Sequence, residues 1–289
     1  MNSRNHTAVS AILFLVLISL AVGTSRATGD SDGLLRVYFL NVGQGDAIFI
    51  QAPNGNQVLI DGGPDDSIIA ELNRVMPFYD RTIDVVVATH PHADHIRGLS
   101  EVLQRYEVGT IIDSGVAYDS VEFSTWMDAV KNEGATYMTA HVGQQFNLGL
   151  EAVLSIIHPL SAAPTTVSKE PHDFMVVSML KYKEFKMLLT GDMESDVERM
   201  LVTRGSEIDS DVLKVGHHGS STSTSVSFLN AVSPQTAIIQ VGSKNRYRHP
   251  APAVVTRLEN NLVKQYRTDT DGAVVLMSNG DTFTVEPLK

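Results

Sequence analysis

Apolar residues in this chain fall in short alternating or continuous runs between turn formers, a pattern that predicts strands first. Residues 35–42 alternate as a half-buried strand does, and 47–50 make a second strand. Asn54-Gly55 turns the chain into a third at 57–60, a hairpin signal. Residues 67–75 read as a helix stopped by Pro77, and 84–88 form the continuous apolar run of a strand buried on both faces. The periods then alternate: a helix over 96–106, a strand at 110–112 and a helix over 124–133 closed by Gly134. Strand pairs are predicted around 150–157 and 175–189. Helix 194–204, strand 212–215, helix 226–231, strand 237–241 and helix 253–260 lead into a meander turning at Asp271-Gly272 and Asn279-Gly280. Hairpins opening each half, with strand–helix alternation after them, predict an α/β fold of two sheets between helices, in one globular domain over 30–289.

The first residues stand apart. A polar start carrying Arg4 precedes an apolar run over 8–22, and small residues follow it. This reads as a signal peptide over 1–27, cleaved after Gly23 or Ala27. The alternative is an uncleaved membrane anchor, against which the run is shorter than the ~20 apolar residues of a spanning helix. No later run approaches that length. The expectation is a secreted or extracytoplasmic protein with no stable membrane integration once the signal is removed.

Composition narrows the chemistry. With no cysteine among 289 residues there is no disulfide, thiolate nucleophile or thiolate ligand, so any metal sits on nitrogen and oxygen. The formal net charge of -11 excludes bulk attraction to nucleic acid, leaving Lys244, Arg246 and Arg248 as a local basic cluster.

Four predicted strand ends carry Asp or His. The most specific is His90-Pro91-His92-Ala93-Asp94-His95, directly after the buried run at 84–88. Desolvating such a cluster costs several kcal/mol unless something pairs with it, and a dication does so. Imidazole and carboxylate suit zinc, manganese or iron. Leu59-Ile60-Asp61-Gly62-Gly63, Thr190-Gly191-Asp192 and Gly216-His217-His218-Gly219-Ser220 are the other three. Read alone, Thr-Gly-Asp is a turn. Together the four place ligand-type groups where strand ends on one edge of a sandwich converge.

In that order these segments resemble the metallo-β-lactamase superfamily, and more narrowly the soluble domain of ComEC-type competence proteins. The narrower resemblance includes Asn41-Val42-Gly43-Gln44-Gly45-Asp46-Ala47, Asn245-Arg246-Tyr247-Arg248-His249-Pro250, and Arg267-Thr268-Asp269 with Gly272. It implies a four-layer αββα sandwich binding two divalent cations, zinc or manganese. His90 and His92 would hold the first. Asp94 and His95 would hold the second with one of His217 and His218, of which His217 is favoured. Asp192 would bridge both cations, and Asp61 would orient the ligand loop. The superfamily generally supplies a further histidine to the first cation, whereas the competence branch has a polar stretch there. Here His172 and Asp173 precede Phe174, and His172 either restores that ligand or faces solvent beside Pro171.

Two cations sharing a water lower its pKa toward roughly 7, which gives hydroxide without a nucleophilic side chain. The resemblance implies hydrolysis of a phosphodiester, either a small molecule or nucleic acid. Asp94 and Asp192 are the expected catalytic carboxylates, and His249 is the candidate donor to a leaving alkoxide. Ser220, Ser223, Asn245, Arg246 and Tyr247 are the candidate substrate contacts. Hydrolysis of a carbonyl substrate (lactone, thioester or β-lactam) is the alternative, and a non-catalytic metal-binding member of the fold is a third.

Overall fold

The computed structural model describes residues 19–21 and 32–289, apart from 162, 164–166 and 169. The predicted export segment lies outside the described residues except for Ser19–Ala21, a three-residue strand, β1. In chain order there follow β2 (Leu35–Phe39), β3 (Ile48–Gln51), β4 (Gln57–Ile60), α1 (Ser67–Val75), β5 (Thr82–Ala88), α2 (Ala93–Val102), β6 (Glu107–Asp113), α3 (Val121–Glu133), β7 (Thr136–Thr139), β8 (Gln145–Gly149) and β9 (Ala152–His158). Then come β10 (Val177–Tyr182), β11 (Phe185–Leu189), α4 (Ser195–Arg204), β12 (Val212–Lys214), α5 (Val226–Val232), β13 (Thr236–Ile239), α6 (Pro252–Asn260), β14 (Lys264–Arg267), α7 (Thr268–Asp271), β15 (Val274–Ser278) and β16 (Phe283–Pro287).

These strands form two eight-stranded sheets, ordered β16-β15-β2-β3-β4-β5-β6-β7 and β1-β8-β9-β10-β11-β12-β13-β14. Alternation sorts the side chains into layers. Val85 and Val87 of β5 enter the core between the sheets, with Ile48, Ile50, Leu154, Met187, Leu189 and Val212. Val86 and Ala88 point the other way, onto a layer closed by Ile68 and Leu72 of α1, Ile96 and Leu99 of α2, and Trp126 of α3. Leu188 and Leu213 likewise meet Val197 and Leu201 of α4, Phe228 of α5, and Val254 and Leu258 of α6. The result is the αββα sandwich expected from the sequence.

Both halves use one device. β4, β5, β6 and β7 are parallel, as are β11, β12, β13 and β14, and the helices are the crossovers between them. The carboxyl ends of these strands open on one rim, where parallel sheets commonly receive ligands. Hairpins join β3 to β4 and β10 to β11 at the opposite rim. Among the described residues no helix is long and apolar enough to cross a membrane.

Several elements differ from expectation. The strand expected over 35–42 ends at Phe39, and 40–46 becomes a loop on the ligand rim. The helix expected from residue 96 begins at Ala93, so Asp94 and His95 belong to its first turn. Their polar character hides that turn from apolar periodicity, while the helix dipole favours a carboxylate there. The strand at Thr136–Thr139, mostly exposed, carries no apolar alternation by which to predict it.

Candidate metal centre

Close backbone contact fixes the ligand-bearing helix. The Gly62 amide donates to the His95 carbonyl at 2.8 Å, and the Gly98 amide to the Gly63 carbonyl at 3.0 Å. A Cβ on Gly98 would stand 1.9 Å from the Gly62 carbonyl oxygen. Gly98→Ala is therefore expected to push α2 off the sheet and destabilise the fold by about 1–3 kcal/mol, the usual cost of overpacking. A denaturation midpoint equal to that of the parent protein would contradict this.

The rim gathers the predicted residues into linked groups. His90, His92 and His172 form one, and Asp94, His95 and His218 another; in each, one ligand atom per residue lies within 4.8 Å of the others. Asp192 stands between them, with Oδ2 3.8 Å from His90 Nε2 and 3.3 Å from His95 Nε2, and Oδ1 3.4 Å from His218 Nε2. His172, carried by a short 3-10 turn at Pro171–Phe174, brings its Nε2 to 3.2 Å from His92 Nδ1. The solvent-facing alternative for His172 is therefore replaced by an inward one.

Geometry also separates the histidine pair. His218 is buried, and its Nε2 lies 3.4 Å from Asp94 Oδ2. His217 turns toward the other side, grouped with His172 and Asp192, and its Nδ1 faces Glu194 Oε1 at 3.0 Å. The preference for His217 beside Asp94 and His95 thus passes to His218. Both residues hold left-handed backbone, at φ 48° and 51°, which splays two adjacent rings apart.

Partners on the far nitrogen orient these rings. Asp61 accepts from Thr89 N and Oγ1, and faces His95 Nδ1 at 2.7 Å. His218 Nδ1 lies 3.0 Å from the Gln240 carbonyl and 3.2 Å from Asp46 Oδ1. Glu194, which also accepts from Thr222 Oγ1, does the same for His217.

Three atoms test whether cations fit. His95 Nε2, His218 Nε2 and Asp192 Oδ1 are buried, point into the shared space and lack a hydrogen-bond partner. Buried polar atoms are seldom left so, and the Nε2 lone pairs and the carboxylate are the donor set that zinc or manganese takes. Burial, aided by the neighbouring histidines, holds His92 down to about 4 and pushes His90 and His172 below the ordinary range, so their lone pairs are free near neutrality. Burial opposes charge on His95 and His218 as well, but Asp192 with Asp61 or Asp46 outweighs it and raises both. Cation binding there must displace protons. The residues fit a two-cation centre.

The substrate candidates divide. Ser223 is buried, with its hydroxyl donating to the Gly216 carbonyl at 2.7 Å, so it holds the histidine turn. Ser220 Oγ lies 2.9 Å from Thr222 Oγ1. Asn245 closes its own loop, bonding Gly242 O, His249 O and His249 N at 2.8 Å each. Tyr247 is exposed and stacks on His249 at 5.7 Å, while the Arg246 guanidinium lies over the Tyr247 ring. His249 stands 5.8 Å from the His217 ring, with Nδ1 buried and unpartnered. Burial and its histidine neighbours lower its pKa, which argues against a resident acid at neutral pH.

Four residues here escaped the sequence reading of the site. Tyr118 packs its ring 5.3 Å from His92 at the mouth. Glu194 steers His217. Asp46, which the sequence offers only as part of a motif, reaches both His218 and Lys214, whose Nζ is 2.7 Å from Asp46 Oδ2. Burial would raise Asp46, but Lys214 and His218 prevail and bring it to about 2.

A four-layer sandwich with His and Asp groups on the rim where its parallel strands end defines a class. Residues 40–243 match the profile of the Metallo-beta-lactamase superfamily, and the chain belongs to that superfamily of metal-dependent hydrolases. Within it the chain is similar to competence proteins. It is 28% identical over 270 residues to ComE operon protein 3 of Bacillus subtilis, covering 87% of this chain and 34% of that protein. It is 30% identical over 265 residues to Competence protein ComA of Neisseria gonorrhoeae, covering 90% and 34%. The chain thus spans about a third of the length of these relatives. Among solved structures it resembles the metallo-beta-lactamase fold protein YhfI of Bacillus subtilis, with a TM-score of 0.52, 9% identity, and coverage of 81% of this chain and 95% of that one. Zn(2+)-bound PqqB from Methylobacterium extorquens gives 0.51 and 11%, covering 78% and 85%.

Proposed function

We propose that this chain is an exported phosphodiesterase that binds two divalent cations, zinc or manganese, and acts on nucleic acid or a smaller phosphodiester. The observation that carries the reading is Asp192 standing between two ligand groups, with Asp192 Oδ1, His95 Nε2 and His218 Nε2 buried and without hydrogen-bond partners. His90, His92 and His172 would hold one cation, and Asp94, His95 and His218 the other, with Asp192 touching both. Such a pair would supply an acidified water and offset the charge that develops on the oxygens of the phosphorus under attack. The protein's own part is placement. Asp61 fixes the His95 ring, Glu194 fixes His217, and Asp192 keeps the two groups in register. Similarity to proteins named for competence favours the phosphodiester. So do the exposed Tyr247 ring, on which a base can stack, and Arg246 beside it. Export rests on the apolar run over 8–22.

The test is turnover of bis(p-nitrophenyl) phosphate, single- and double-stranded DNA, a lactone and nitrocefin, with manganese or zinc and with chelator. Diester cleavage that the chelator abolishes is the expected result. Lactone or nitrocefin turnover with every diester left intact would overturn it.

A further inference from the structure

We propose that Asp46 is a positioning residue for the second cation: its carboxylate turns His218 so that Nε2 faces Asp94 and Asp192, and Lys214 anchors that carboxylate away from the cations. This rests on the two-cation reading above.

The three side chains form a buried chain of contacts. Asp46 Oδ1 lies 3.2 Å from His218 Nδ1, and Asp46 Oδ2 lies 2.7 Å from Lys214 Nζ, which also donates to the Val215 carbonyl at 3.0 Å. Relative exposures are 1% for Asp46, 0% for Lys214 and 2% for His218. Lys214 follows Val212 at the inward-facing positions of β12, where Val212 packs into the core between the sheets. An apolar side chain would serve stability there as well as a desolvated ion pair does. Stability alone therefore does not explain the pair.

The pair's neighbours supply the reason. His218 sits in left-handed backbone, and its Nδ1 bonds the Gln240 carbonyl while the charged Asp46 Oδ1 stands 3.2 Å from the same nitrogen. Asp46 is itself tied to the site: its amide donates to the Asp94 carbonyl at 3.3 Å, and its carbonyl accepts from Gly63 N at 2.8 Å. A Cβ on Gly45 would meet the Asp94 carbonyl oxygen at 2.3 Å, so only glycine lets this loop lie against α2. One residue thus joins the ligand helix, the loop after β4 and the histidine turn. Lys214 has a second consequence. Ligand atoms of Asp46, Asp192 and His218 lie within 4.8 Å of one another. Without Lys214, the Asp46 carboxylate would be a further ligand competing for the cation beside His218.

The experiment compares cation-stripped full-length protein with Asp46→Ala and with the double variant Asp46→Leu/Lys214→Met, which exchanges the ion pair for apolar volume. Zinc is titrated by calorimetry and cobalt by its visible absorption. Wild type is expected to take two cations. Both variants should keep one at its original affinity and lose the other by about 10–100-fold, with one cobalt signature altered. Folded double variant that binds both cations as wild type does would overturn the inference and leave the two-cation reading standing. Equal weakening of both cations would also overturn it, since that marks a general structural role. A wild type that binds fewer than two cations sinks the two-cation reading itself, and the inference with it.

Discussion

Asp192→Asn is expected to lower phosphodiester turnover by about 10³-fold or more while leaving the fold intact. The two oxygens of Asp192 face both groups, with His218 on Oδ1 and His90, His95 and His217 on Oδ2. Asparagine keeps the shape but offers one oxygen and no charge, so it cannot serve two cations at once. Stabilisation by cations at the reacting oxygen amounts to several kcal/mol, and each 1.36 kcal/mol is tenfold in rate. Cation content and turnover should fall together when both are measured on the same preparation. Parent-like turnover in the variant would remove Asp192 from the centre.

The second large effect concerns stability. Lys214→Ala is expected to cost about 3–5 kcal/mol, because it leaves the Asp46 carboxylate buried without its cation. For a domain of this size that lowers the melting temperature by roughly 10 °C. The double exchange Asp46→Leu/Lys214→Met should recover most of the loss. A Lys214→Ala protein within about 1 kcal/mol of the parent by denaturant unfolding would mean that water or a shifted side chain relieves Asp46.

Local pattern made much of this molecule legible. The apolar runs at 85–88 and 187–189, and the short strand β12, are each followed within a few residues by Asp or His, and such residues at strand ends need either solvent or a cation, a contrast visible in the sequence. The fold followed from hairpins and crossovers whose periods differ. The hidden parts were pairings across long sequence separations. Lys214 reads as one charged residue in a short strand, and nothing local shows that Asp46 faces it from a loop of the other sheet. Adjacent histidines were equally opaque. Which of His217 and His218 points inward depends on two left-handed residues that composition does not announce. Ser223 sits in a stretch that reads as a solvated serine loop, yet its hydroxyl holds the Gly216 carbonyl beneath the histidines.

The opposite rim has a use of its own. Asn54-Gly55, Lys183-Glu184 and Asn279-Gly280 turn the chain there, and the last two interlock: the Glu184 and Phe185 amides donate to the Gly280 carbonyl, and Lys183 Nζ donates to that of Asn279. Three tight turns are thereby gathered at the end of the sandwich away from the histidines. Loops on the ligand end are free to diversify toward new substrates while the turning end keeps the frame. For the same reason, a label or a fused partner is best carried at the Asn54-Gly55 turn, which the length of the strands separates from the histidines.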